Sequence, residues 1–167
     1  MLIRLATIND IPQIMQLISR VVPIMITSGN YQWDNTYPNA EVFIDDITIG
    51  KLWVADVEGQ IAGITAITTD QEAEYAQVGW DITEVAIVTH RLAVDPQYRG
   101  MGIAASLLQQ AESEAIRRGI KTLRIDTNTG NQATQNLFPK LGYVFAGEIG
   151  LGFRAGLRFY CYEKRLD

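Results

Sequence analysis

The residues from His90 to Ala104, HRLAVDPQYRGMGIA, bring together a histidine, an arginine and two glycines in a pattern that can do chemistry. Leu92 and Val94 alternate as in a strand, Asp95-Pro96 makes a turn, and Gly100-x-Gly102 opens an amphipathic helix. A strand that passes through a glycine turn into a helix N-terminus is built to hold phosphate, because free N–H groups point outward and the helix dipole favours an anion. The amides of Arg99, Gly100, Met101, Gly102, Ile103 and Ala104 form the expected cradle. The Arg99 guanidinium adds a charge-assisted contact, and a Cβ at Gly100 or Gly102 would hinder close approach. Just upstream lie two candidate bases, Glu84 and His90. His90 is the only histidine, and imidazole titrates near neutrality. A single histidine at a strand centre also fits a structural role.

The pattern Gln97-x-x-Gly100-x-Gly102 resembles the acetyl-CoA-binding signature of the GNAT N-acetyltransferase superfamily. A second block, NQATQNLFPKLGY from Asn131 to Tyr143, resembles that superfamily's Asn-x-x-Ala…Leu-Tyr-x-x-x-Gly-Phe pattern. The resemblance runs from Ile3 to Lys164 and is sharpest over the central part. It implies an acetyl-CoA-dependent N-acetyltransferase that moves an acetyl group to a primary amine by direct attack in a ternary complex, with no metal. In such proteins the pantetheine arm lies along the strand before the glycine turn. Leu92, Ala93 and Val94 would therefore offer main-chain bonds, and an amide near Leu92 or Ala93 would polarise the thioester oxygen.

By the same resemblance Asn131 contacts the cofactor, and it can also cap its helix. Phe138 departs from the family pattern. The usual Tyr there can protonate the leaving thiolate, and Phe138 has no hydroxyl. A thiol of pKa about 8.5 can take its proton from water instead. The acceptor ammonium, of pKa about 10, must lose a proton before it attacks. Glu84 and His90 are the candidates to take it. Trp33 and Tyr37, in the segment joining the first two helices, become acceptor contacts, as does Trp80. Cover for the core is the alternative reading of Trp33 and Tyr37. A non-catalytic acetyl-CoA sensor is the alternative function. A dinucleotide-binding domain is excluded by the missing third glycine and the many hairpins.

Composition sets wider bounds. Residues are 47% apolar and 20% charged over a length of 167, which suits one globular domain, 1–167. The net charge of −5 argues against nucleic acid as the main partner. Asp70, Glu72 and Glu74 form an acidic connector that is either a solvated loop or an attractor for an ammonium group. No apolar run approaches a membrane span of about 20 residues. Cys161 is alone, so no disulfide forms within the chain, and a reducing cytoplasm is expected. Cys161 itself reads as packing. A homodimer is common in the family, though no surface patch points to one here.

The elements that must position these groups follow from periodicity. Strands are expected at 2–5, 52–57, 61–68, 82–94, 122–127, 144–149 and 157–164. Helices are expected at 11–22, ended by Pro23, then at 40–49, 102–118 and 131–141. The order suits a mixed, mostly antiparallel α/β sheet with helices on both faces. By the resemblance this is the GNAT fold, splayed between its fourth and fifth strands. If the long fourth strand is regular, Glu84, Ala86, Val88, His90, Leu92 and Val94 share one face. One bulge would reverse that parity between its ends. Asp126, in RIDTN, is expected to bond backbone or Arg124.

Overall fold

The computed structural model describes residues 1–167. Seven strands, β1 (Leu2–Leu5), β2 (Leu52–Val57), β3 (Gln60–Thr68), β4 (Ile87–Val94), β5 (Thr122–Asn128), β6 (Val144–Gly150) and β7 (Arg158–Arg165), form one sheet in the order β1-β2-β3-β4-β5-β7-β6. Four helices accompany them: α1 (Ile11–Thr27), α2 (Ala40–Thr48), α3 (Ile103–Arg118) and α4 (Gln132–Lys140). Every neighbouring pair is antiparallel except β4 and β5, which run parallel.

The apolar stripes of α1 and α2 pack Ile14, Leu17, Ile18 and Phe43 on Leu52, Val54 and Ile64 of one sheet face. On the other face α3 brings Ile103 and Leu107 against Ala55 and Ala62, while Leu108 and Ala111 meet Ile87 and Leu123. A 3-10 turn at Ala73–Val78 sets Tyr75 over Val88, Ile149 and Phe159 and completes the first face. No helix is long and apolar enough to cross a membrane.

Two boundaries differ by several residues from the sequence reading. Helix α1 does not stop at Pro23 but runs on to Thr27. Proline removes the bond that its N–H would give to the carbonyl of Ser19, yet its φ is helical, so the turns continue beyond it. The fourth strand begins at Ile87, not Ile82. Asp81 captures the backbone N–H of Thr83 at 2.9 Å and its hydroxyl at 2.6 Å, a side-chain turn that keeps residues 81–84 out of the sheet. Within β4 the ladder to β3 slips, with Ala93 facing Ile64 and His90 facing Ala66. The extra residue lies between them, and Arg91 takes a φ of +54°. The bulge reverses parity: Val88 packs beside Tyr75, whereas Leu92 and Val94 lie against the α3 layer. The even positions therefore do not share a face along the whole strand.

Candidate active site

β4 and β5 pair only at Ile87↔Leu123 and Val88↔Arg124 and then part. A cavity of about 740 Å³ opens in the gap, reaching from the glycine turn at one end to the α1–α2 segment at the other. Two devices flank this gap. At the end of β4, the buried Asp95 carboxylate accepts the Gln97 amide at 2.9 Å and pairs with Arg20 of α1. At the end of β5, Gly130 lies so close to the turn after α1 that a Cβ there would stand 2.5 Å from the Gly29 carbonyl oxygen.

The glycine-turn half is a donor surface. Gly100 and Gly102 have φ of +82° and +73°, and a Cβ on either would touch no protein atom. What asks for glycine here is the left-handed backbone, within this chain, rather than crowding. Gly102 caps α3 without a side-chain bond. The amides of Gly100, Gly102, Ile103, Ala104 and Ala105 donate to no backbone acceptor, as expected of a helix start. Gly100, Gly102, Ile103, Ala104 and Arg99 line the cavity, while Met101 does not and is exposed.

Upstream, the Asp95 amide donates to Ala62 of β3 at 2.8 Å. Alternation then turns the Ala93 amide toward β3 as well, and leaves the main-chain groups of Leu92 and Val94 facing the gap. Asn131 accepts the Thr134 amide at 3.2 Å as a helix cap and also lines the cavity.

The far half is lined by side chains. Trp33 and Tyr37 are both there, and Trp33 is also part of the core beneath α1 and α2. The longer α1 adds Ile24, Met25 and the adjoining Ser28. His90 lines the cavity, and its Nε2 lies 3.1 Å from the Asp70 carbonyl oxygen. A carbonyl only accepts, so Nε2 carries the proton and Nδ1 is the basic atom. Burial holds the imidazole pKa below its usual value. Of the acidic connector, Glu72 reaches the cavity, and burial together with Glu74 and Asp70 raises its carboxyl. Glu74 points elsewhere, and Asp70 pairs with Lys51.

Asp126, expected to bond backbone or Arg124, lines the same chamber. It accepts a short hydrogen bond from the buried Tyr75 hydroxyl, not one from Arg124. Burial pushes its carboxyl up from 3.8 to about 6, against the pull of the Tyr75 bond and with a further push from the Glu72 charge. The signal that could have found it is an acid one residue from buried Ile125 in a central strand.

Two more expected site residues, besides Met101, lie outside the cavity. Glu84 sits at the closed end, where β4 and β5 still pair, and accepts from Thr122 at the start of β5. That bond, with Arg165 and Arg124 at 3.3 and 3.4 Å, holds its carboxyl below the usual range. Trp80 packs edge-on against Tyr75 at 5.1 Å and under the Arg124 guanidinium at 4.9 Å. It closes the core behind Asp126 rather than lining the chamber.

The family model described as the acetyltransferase (GNAT) family matches residues 19–143. The chain belongs to the GNAT acetyltransferase family. Among similar proteins is the uncharacterised N-acetyltransferase YesJ of Bacillus subtilis, 26% identical over 96% of this chain and 88% of its own. A GNAT acetyltransferase structure from Streptococcus agalactiae superposes with a TM-score of 0.84 at 31% identity, covering 99% of this chain and 95% of that one. The structure of yncA from Salmonella typhimurium with its cofactor acetyl-CoA shares the fold, with a TM-score of 0.72 at 18% identity, covering 100% of this chain and 94% of the other.

This GNAT N-acetyltransferase keeps Phe138 lining the cavity but nearly fully buried, packed on Tyr143 at 5.8 Å and Tyr162 at 5.3 Å. Neither of those phenols lines the cavity; Tyr37 and Tyr98 do. Cys161 is buried beside Ile149 and Phe159, and burial followed by the Asp126 charge raises its thiol to about 12. A thiol so far above neutrality is packing, not a nucleophile.

Proposed function

We propose that the protein binds acetyl-CoA along β4 and the glycine turn, and transfers the acetyl group to a primary amine of a small molecule or peptide by direct attack. One observation carries this reading. A single cavity joins an anion cradle to an acid-lined chamber through the gap between β4 and β5. The chain's features fit the cofactor: unspent amides at Gly100 and from Gly102 to Ala105 suit a pyrophosphate, and the unpaired edge of β4 suits an amide-rich arm. When bound, acetyl-CoA supplies the acetyl group as a thioester.

The chain's own residues do the rest. The Leu92 N–H, facing the gap, is the donor for the thioester oxygen. The α1–α2 segment, with Trp33 and Tyr37, covers the acceptor and excludes water. Glu72 and Asp126 attract the ammonium group. Asp126, near pKa 6, is the better-matched base for its proton. His90 offers Nδ1 as a second acceptor of that proton and anchors the Asp70 carbonyl. No phenol is required at Phe138, since a thiol of pKa about 8.5 leaves without strong acid help. Orientation in the gap supplies most of the remaining advantage.

The test is free-thiol release from acetyl-CoA against a panel of primary amines, with Gly100→Glu as the cofactor-site control. Release that needs an amine and is lost in the control supports transfer. Binding of acetyl-CoA without release by any amine would favour a sensor instead.

A further inference from the structure

The acceptor chamber contains charges of both signs, and most of its cations are already spent. Arg91 is held by Asp46, and Arg20, just outside, by Asp95. Arg99 belongs to the glycine-turn end. Arg154 is different. It enters from the loop joining β6 and β7 and lines the same cavity as Asp126 and Glu72. One terminal nitrogen donates to the carbonyls of Gln32 and Tyr31, the latter at 3.1 Å, and the guanidinium lies 5.8 Å from the Tyr37 ring centre.

No carboxylate forms an ion pair with Arg154. The nearby acid, Asp34, is taken up by the Thr36 amide and hydroxyl and the Tyr37 amide. The Arg154 Nε is buried with no hydrogen-bond partner. Only one other buried side-chain polar atom in the protein lacks a partner, the Thr89 hydroxyl, and Thr89 lines the same cavity. The other terminal nitrogen makes no hydrogen bond and is not enclosed, so it is the guanidinium edge open to the cavity, where an anion is met with directional, charge-assisted bonds.

We propose that the acceptor carries a carboxylate beside its amine, as a free amino acid does. The ammonium group faces Asp126 and Glu72, and the carboxylate meets Arg154. A decarboxylated amine of the same side chain would leave the Arg154 N–H unmet, so the site discriminates against it. A site built to bond a polar group rejects analogues that lack it far more strongly than an apolar pocket does. This inference rests on the acetyl-transfer reading for its biological sense but not for its test.

The test is calorimetric binding to the protein saturated with coenzyme A. The probes are a panel of L-amino acids, each beside its carboxamide and its decarboxylated amine. At least one amino acid should bind tenfold or more tightly than both of its partners. Arg154→Gln should shrink that ratio to within about twofold while leaving coenzyme A affinity unchanged, and Arg154→Lys should restore part of it. Equal binding of acid and amide, no binding of any acid, or a preference that survives Arg154→Gln would overturn the proposal. The ligand comparison on the native protein decides the matter even if the variants fold poorly. Arg154-dependent binding of an amino acid that releases no thiol from acetyl-CoA would instead fault the transfer reading alone.

Discussion

Arg91 and Asp46 hold one another through two parallel hydrogen bonds, Nε and a terminal nitrogen each 2.8 Å from a different carboxylate oxygen. The pair ties α2 to the bulge in β4, where Arg91 adopts a φ of +54°. A left-handed backbone costs a non-glycine residue about 1 kcal/mol or more, so the conformation needs an outside hold. Asp46 provides it, next to Leu92, whose amide faces the gap. Asp46→Asn should lower stability by about 3 kcal/mol in urea unfolding, since it leaves a half-buried guanidinium without its counterion. It should also lower kcat by on the order of tenfold through misplacement of the strand. The double variant Arg91→Gly with Asp46→Ala should be more stable than Asp46→Asn alone, because glycine relieves the backbone and no unpaired charge remains.

Asp126 gives a pH signature with a definite sign. Its carboxyl is raised from 3.8 to about 6 in the folded protein, by burial first and the Glu72 charge as well. The folded state therefore holds this proton more tightly than the unfolded chain, and the group's contribution falls as pH rises from about 4 to about 6. The loss is no more than about 3 kcal/mol. Asp126→Asn should flatten that part of the stability profile in denaturant titrations at successive pH values. The native kcat/KM should rise with pH through an ascending limb near 6, and the same variant should lose it; an unchanged limb would remove Asp126 from the proton path.

Gly130→Ala should be poorly tolerated. The new methyl would meet the Gly29 carbonyl oxygen at 2.5 Å, and backbone cannot yield there as a side-chain tip could. Expected results are a stability loss of about 1–3 kcal/mol and a raised KM for the acceptor. Gly29 and Gly130 approach each other over the cavity, so thermal unfolding and acceptor kinetics should move together.

Pro23→Ala should stabilise. Pro23 is exposed and lies inside α1, where it withholds a backbone donor. Restoring that donor is worth up to about 3 kcal/mol in a helix interior. The measurement is a chemical unfolding midpoint, and an unchanged or lowered midpoint would refute this account of how α1 passes the proline.

The strand, glycine turn and helix from Leu92 to Arg118 were legible because their chemistry depends on local backbone: a turn, two left-handed glycines and an amphipathic stripe. The splay between β4 and β5 came from the family resemblance, and the two-residue pairing bears it out. What sequence could not place was anything decided by distant partners. Glu84 was assigned to a strand that begins three residues later, because Asp81 makes a side-chain turn that hydrophobic patterning does not register. Trp80 was assigned to the acceptor, but Arg124 and Tyr75 claim its ring. Asp126 and Glu72 meet across an interval in the chain that no periodicity links. Arg154 was visible only as a charge in a glycine-rich loop.

The passage of α1 through Pro23 has a mechanical consequence. Beyond Val88 and Arg124, β4 and β5 are two parallel strands with adjoining free edges, and the bulge at Arg91 interrupts the regular backbone of β4 just where they part. The helix is fixed to the turn after β4 through Arg20 and Asp95, and the turn that follows the helix abuts the turn after β5 through Gly29 and Gly130. It is a spreader bar. A helix that stopped at Pro23 would grip one side only. The length of α1 thus lets one element brace both walls of the slot, from a place far from any reacting atom.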